Sequence, residues 1–237
     1  MTLFERRRFL MGANKSLLPS KYQQVEYIEC TGTQYINTNF TPTGKLTITG
    51  KINLPKPNRE MAVVGAIGVG YEIGFSTTNN RMFAWNDRLS PASVAVTTTT
   101  SMWNTDIEFT VVNDNDGSFR SLGINIENQY AENNTANTLY RQNLLLFNYR
   151  ESYTFIGKCY SMKFYDDDIL MRDFIPCYRK SDNVVGMYDL VEDKFHTNQG
   201  TGEFLKGGET LQNITGIGVA FKTPSTAGAT ATVTFYD

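Results

Sequence analysis

Tyr153-Thr154-Phe155-Ile156-Gly157-Lys158-Cys159-Tyr160-Ser161-Met162-Lys163-Phe164-Tyr165, followed after Asp166-Asp167-Asp168 by Ile169-Leu170-Met171-Arg172-Asp173-Phe174-Ile175-Pro176, is the stretch that decides the fold. Apolar and polar residues alternate on both sides of the acidic triplet, the period of two that turns one face of a strand to a core and the other to water. The block predicts a hairpin of two long central strands. Shorter segments with the same rhythm precede it: Tyr22 to Cys30, Gln34 to Thr38, Lys45 to Asn53, Glu60 to Ala66, Tyr71 to Ser76, Arg81 to Ala84, Val94 to Thr97, Trp103 to Asn113, Ser118 to Ile124 and Leu144 to Phe147. Each is bounded by Gly, Pro, Asn, Asp or Thr, and a strand about every 8 to 12 residues with turn chemistry between is the mark of a sandwich or barrel. Residues 125–143 are polar with almost no apolar period and read as a long loop.

The 237 residues are 19% charged, with 22 Lys+Arg against 24 Asp+Glu and a formal charge of -2. Average domains carry about 25% charged residues; here Thr, Asn and Gly stand in their place, which suits turns and wet strand faces. Near-neutrality excludes electrostatic nucleic-acid binding, which needs clustered cations. Apolar runs such as Met61 to Ile67 fall far short of the ~20 residues of a membrane helix, so no membrane span is expected. Cys30, Cys159 and Cys177 have no metal-ligand spacing and read as inert buried thiols made in a reducing cytoplasm. With His196 the single histidine, catalytic equipment is sparse.

Both ends differ from the middle. Residues 1–18 mix Leu3, Phe4, Phe9, Leu10 and Met11 with Arg6-Arg7-Arg8 and predict a short helical, basic arm. Arg6 to Leu10 also match a twin-arginine export motif, but Gly12-Ala13-Asn14-Lys15 stands where the apolar export segment belongs. Residues 209–237 are rich in Gly, Thr, Ala and Val and predict a C-terminal β-hairpin, an assembly element whose low charge invites pairing with another chain. The expected organisation is an arm at 1–18, a sandwich at 19–208 and an extension at 209–237.

Two acidic turns, Asp114-Asn115-Asp116-Gly117 and Asp166-Asp167-Asp168, could hold a cation. The first has Val112 and Gly123 where a calcium loop needs its first and last ligands. Hairpin tips are the simpler reading of both, so no metal and no cofactor is assigned.

Three stretches resemble a known family. Leu18-Pro19-Ser20-Lys21-Tyr22-Gln23-Gln24-Val25-Glu26-Tyr27-Ile28-Glu29-Cys30-Thr31-Gly32-Thr33-Gln34-Tyr35-Ile36-Asn37-Thr38 resembles the opening of laminin G-like (concanavalin A-like) jelly-roll domains of phage and prophage virion proteins. Gly157 to Tyr165 with Arg172 to Cys177 resembles the second signature of that family, and Val184 to Leu190 with Phe195, Thr197-Asn198 and Gly200-Thr201-Gly202 its closing segment. The leader Glu5-Arg6-Arg7-Arg8 is also similar. The resemblance implies an all-β, two-sheet antiparallel jelly-roll sandwich without catalytic apparatus, displayed on a virus particle or bacterial surface and touching glycans. Tyr35, Ile36, Phe155, Tyr160, Met162, Phe164, Phe174, Ile175 and Met187 are its core candidates.

The expected function is a non-enzymatic virion structural protein, a head or tail fibre or capsid decoration, made in the host bacterial cytoplasm and displayed on the virion surface. Arg6, Arg7, Arg8, Phe9 and Leu10 would anchor it to other virion proteins, and the jelly roll would serve host adhesion as a homotrimer, by analogy with fibres. A carbohydrate-binding module of a bacterial surface protein is the alternative. Its sugar site would stack a ring on Trp85 and hydrogen-bond it through Asn86 and Asp87, which fall at a strand end among polar groups. Trp103 reads as core. A glycan depolymerase would need two carboxylates across a cleft, and no strand shows such a pair.

Overall fold

A computed structural model of the chain describes residues 18–66, 71–77, 80–85, 93–114, 120–133, 142–149 and 153–210. The expected helical arm and the C-terminal hairpin lie outside them, at residues 1–17 and 211–237. The described residues form strands β1 (Tyr22–Gln24), β2 (Ile28–Thr31), β3 (Ile36–Asn37), β4 (Leu46–Asn53), β5 (Met61–Ala66), β6 (Glu72–Phe75), β7 (Arg81–Trp85), β8 (Ser93–Thr97) and β9 (Ile107–Asn113). Then come β10 (Arg120–Ile124), β11 (Tyr130–Asn133), β12 (Leu144–Leu146), β13 (Ile156–Asp166), β14 (Ile169–Arg179), β15 (Val185–Asp189), β16 (Lys194–Thr197) and β17 (Leu205–Lys206). A single 3-10 turn, Ile126–Asn128, is the only helical element among them.

Two antiparallel sheets result. The larger runs β11-β10-β9-β4-β13-β14-β15-β16, and the smaller β3-β12-β5-β6-β7-β8. The predicted hairpin sits at the centre of the larger sheet, with β13 between β4 and β14. Its turn is two residues long, since Asp166 pairs with Ile169, and Asp167 and Asp168 both have positive φ, 49° and 64°. That is the geometry of a type I′ turn, whose twist matches the strands it joins. Ile48, Phe109, Leu122, Met162, Phe164, Phe174 and Met187 from the larger sheet meet Ile36, Val63, Ile73, Phe75, Met82, Val96 and Leu146 from the smaller in one buried core. Each such side chain is worth about 1.5–3 kcal/mol of burial before entropy is subtracted.

Several expectations are corrected. Tyr22 to Cys30 is two strands, because the chain changes neighbours at Val25 to Tyr27: β1 pairs with β14 and β2 with β13, filling the space where the ends of those two long strands separate. The loop expected at residues 125–143 holds β11, an edge strand with Tyr130 and Glu132 facing water, which is why it carries no apolar period. Of the core candidates, Tyr160 is half-buried outside the core, being the extra residue at a register shift between Cys159 and Ser161. Ile175 packs with Leu18, Tyr22, Cys177 and Tyr188 in a second cluster rather than the main one, and Tyr35 is half-buried. Trp103, expected in the core, does pack against it, half-buried in a turn before β9 and edge-on to Phe75 at 6.3 Å.

Candidate functional site

Much of the outer surface of the two sheets is already covered. At β5, Asn148 and Tyr149 lie against Gly65, where a Cβ would meet the Asn148 carbonyl and the Tyr149 side chain; Ala62 donates in the sheet plane to the Tyr153 carbonyl at 3.1 Å, and all six residues of β5 are buried. Over β14 to β16, Leu18 and Tyr22 cover the larger sheet, with the Tyr22 ring 5.0 Å from Tyr188 and 4.8 Å from Phe195. The outward face of β13, β4, β9 and β10 instead lines a cleft of about 580 Å³.

Register builds the floor of this cleft. Lys163 pairs with Thr49, Thr49 with Thr110, Thr110 with Gly123 and Gly123 with Tyr130, one row across five adjacent strands. A second row places Ser161 opposite Lys51 and Lys51 opposite Glu108, and Asn125 accepts from the Glu108 amide at 2.9 Å. Asn128 and Gln129, from the 3-10 turn and the residue after it, line the same cleft. Gly123 keeps the floor low: a Cβ there would meet only the Tyr130 ring at 3.6 Å and the Gln129 carbonyl at 4.0 Å. Tyr130, 58% exposed, therefore stands beside the cleft.

The polar groups divide into committed and uncommitted ones. Lys51 pairs with Asp106 at 3.1 Å and Glu108 at 3.8 Å, and Lys163 with Asp173 at 2.8 Å. Asp106 is held below the usual carboxylate range by hydrogen bonds from Asn53, Lys51 and Tyr160. Burial and the neighbouring Asp106 push the Tyr160 phenol up to about 12, so it stays protonated. By contrast the hydroxyls of Thr49, Thr110 and Ser161 and the side-chain amides of Asn128 and Gln129 have no partner among the described residues.

Glu127 braces the cleft wall. Its carboxylate accepts from the amides and hydroxyls of both Thr99 and Thr100 at 2.7–3.0 Å. Those hydrogen bonds, from Thr100 first and then Thr99, hold its pKa at about 2. Glu127 and Asn128 both adopt positive φ, 54° and 48°, a conformation L residues keep only when their surroundings enforce it.

Other polar clusters are committed to structure. Asp166 accepts from the Thr43 amide and hydroxyl and from the Gly44 amide, Asp167 from the Lys45 amide, and Asp168 pairs with Lys45. The acidic turn thus ties the hairpin to the start of β4. Asp189, Glu192 and His196 bring ligand-type atoms within 4.8 Å of one another. Arg172, however, already supplies the cation there: it lies 2.6 Å from Glu192 and 3.4 Å from Asp189. Its guanidinium also donates to the carbonyls of Thr38, Asn39 and Met171. Burial, then Lys194, lowers the His196 pKa below its ordinary value. A second cavity of about 500 Å³ lies beside Arg179, Asp182 and Asn198. Those three are occupied, Arg179 with Asp182 at 2.6 Å, and Asn198 with the Tyr35 and Gly200 amides and the Gly202 carbonyl.

Trp85 ends β7 in the smaller sheet, paired with Glu72 and Ser93. Its side chain, together with Asn86 and Asp87, lies outside the described residues, as do Arg6, Arg7, Arg8, Phe9 and Leu10. Sequence reasoning missed the cleft, since Thr49, Thr110 and Gly123 come from three strands and meet only through register. Tyr130, the lone aromatic between Asn125 and Leu139, was the one visible signal. Among the described residues no helix is long and apolar enough to cross a membrane.

The fold is an all-β jelly-roll sandwich of two antiparallel sheets. No protein-family profile and no curated protein matches the chain. Among solved structures it is similar to a proposed carbohydrate-binding protein of Bacteroides ovatus ATCC 8483, with TM-score 0.54 and 10% identity over 80% of this chain. The match spans 62% of the length of that protein. A heptameric SAP-like pentraxin of Limulus polyphemus aligns with TM-score 0.47 and 6% identity, over 81% of this chain and 97% of the pentraxin.

Proposed function

We propose that the chain is a non-enzymatic glycan-binding protein that takes sugar in the cleft over β13, β4, β9 and β10. The observation that carries this is the gathering of uncommitted hydroxyls and amides, Thr49, Thr110, Ser161, Asn128 and Gln129, in one cleft beside an exposed tyrosine ring. Sugars present hydroxyls that both donate and accept, and a C–H face that packs on an aromatic ring; small-ligand sites of about 300–1,000 Å³ combine such groups. The carbohydrate-binding role proposed for the Bacteroides ovatus protein points the same way. Glycoside hydrolysis needs two carboxylates flanking the bond. Among the described residues Glu108 alone brings one into the cleft, and it is ion-paired.

The likeness of residues 18–38, 157–177 and 184–202 to virion jelly rolls supports a finer reading: a phage fibre or decoration protein on the virion surface. In it Arg6 to Leu10 dock to the particle and the cleft faces host glycans. Mass spectrometry of purified particles tests this, and absence of the chain from them refutes it.

The binding reading is tested on a glycan array with the wild type and Gly123→Leu. The leucine fits the backbone, where a Cβ makes only ordinary contacts, and fills the trough. Glycan binding by the wild type that falls at least tenfold in a variant with unchanged melting is the expected result. No binding by the wild type, or equal binding by both, refutes the cleft.

A further inference from the structure

The shape and charge of the cleft say which sugars it suits. We infer, resting on the glycan-binding reading above, that it holds an extended, uncharged oligosaccharide of about four rings lying across the strands, with one end on Tyr130 and the other at Lys163.

Length comes from register. The row Lys163, Thr49, Thr110, Gly123, Tyr130 crosses β13, β4, β9, β10 and β11. Four strand intervals of about 4.8 Å make about 19 Å, and a 1,4-linked pyranose advances by about one interval, so about four rings span the row. A single sugar would satisfy a fraction of the uncommitted groups, because Ser161 lies near one end of the cleft and Gln129 and Asn128 near the other.

Direction comes from the ends. Tyr130, a residue 58% exposed, offers its ring directly opposite the bare backbone of Gly123. Its hydroxyl is turned aside to Glu132, to which it donates at 3.0 Å. At the other end Lys163 is an ammonium fixed by Asp173 at 2.8 Å, able to donate to a sugar hydroxyl without being a free positive charge.

Neutrality follows from the pairing of both lysines that line the cleft among the described residues. Lys51 and Lys163 each carry a carboxylate partner, and Glu108 stands in the second row beside the path. A uronate would gain no unpaired cation and would face Glu108, and like charges brought together in a site disfavour binding. Peptide strands are poor occupants too, since the backbone groups of β4, β9 and β13 are taken on both sides by neighbouring strands.

The test is calorimetric titration of the full chain with ladders of one to six rings: β-1,4-linked glucose, mannose and N-acetylglucosamine, and β-1,4-linked mannuronate as the anionic counterpart. Affinity for at least one neutral ladder should rise with each ring to about four and then level off. The mannuronate tetramer should bind at least tenfold more weakly. Tyr130→Ala should weaken the tetramer about 5- to 10-fold, the size of one lost ring contact, while leaving the dimer within about twofold. Three results overturn the inference yet leave glycan binding intact: a monosaccharide bound as tightly as the tetramer, a mannuronate ladder bound more tightly than the neutral ones, or array binding confined to branched or terminal sugars with all neutral ladders silent. Silence of the wild type on both array and ladders refutes glycan binding itself.

Discussion

Replacing Arg172 with methionine should cost the fold more than any surface change, and the structure shows why. The guanidinium is 7% exposed and Asp189 is fully buried, 3.4 Å away. One Asp189 oxygen accepts from the amides of Asp173 and Val191, both at 3.0 Å, while the other has Arg172 as its only neutralising neighbour among the described residues. Arg172→Met preserves most of the side-chain volume but leaves that carboxylate buried and unpaired, at a cost of about 3–5 kcal/mol. It also releases the Thr38 and Asn39 carbonyls, through which β14 holds the segment leaving β3. With a urea dependence of about 2 kcal/mol per molar, the unfolding midpoint should fall by about 1.5–2.5 M. Asp189→Asn should cost less, about 1–3 kcal/mol, because the amide oxygen still accepts from both backbone donors. In the double variant the losses should be less than additive by about 1–3 kcal/mol. The single histidine gives an independent readout by proton NMR. His196 titrates below its ordinary value in the wild type; without the nearby guanidinium the carboxylates of Asp189 and Glu192 favour its proton, so its pKa should rise in Arg172→Met. A loss under about 1 kcal/mol with an unmoved His196 would refute the reasoning.

Glu127 should act as an acid-sensitive brace. Its folded pKa of about 2 lies below the ordinary 4.5, so its contribution is fully present above about pH 4.5 and lost as pH falls through about 2. Protection of the Thr99 and Thr100 amides, taken relative to the intrinsic exchange rate at each pH, should be full at pH 5 and decline toward pH 2, and Glu127→Gln should lower it throughout. Unchanged exchange in that variant would show that the hydrogen bonds do not brace the wall. The thiols of Cys30, Cys159 and Cys177 are all buried. Burial pushes Cys159 and Cys177 up to about 12 and Cys30 well above its ordinary value. An aromatic disulfide reagent at pH 7.5 should therefore titrate almost no thiol in the native protein and three after denaturation, because the thiolate is the reactive form. Rapid native labelling would contradict this placement.

The central hairpin was legible because alternation from Phe155 to Tyr165 is long and its turn is short. Less could be read where neighbours, not local pattern, decide. Tyr22 to Cys30 contains no Gly, Pro, Asn or Asp to mark a turn, yet the chain passes from pairing with β14 to pairing with β13 within it. Tyr130 to Asn133 shows no apolar period because its inward positions are the small Ala131 and the polar Asn133, while the aromatic Tyr130 faces water. The cleft was the least legible feature, being assembled by register from residues up to 114 positions apart, Thr49 to Lys163. Arg172, Asp189 and His196 were invisible as a cluster for the same reason, although each stood in the quoted sequence. Alternation predicts which face a residue takes, but not which residue from another strand stands beside it.

The claim that sugar binds across the floor of β13, β4, β9 and β10 is met most directly by a crystal structure of the full chain with the oligosaccharide that binds it most tightly. Ordered rings over Thr49, Thr110 and Gly123, with the terminal ring against Tyr130, are the expected result. Rings seated instead at the Trp85 end of β7, with the cleft holding only water, would contradict it.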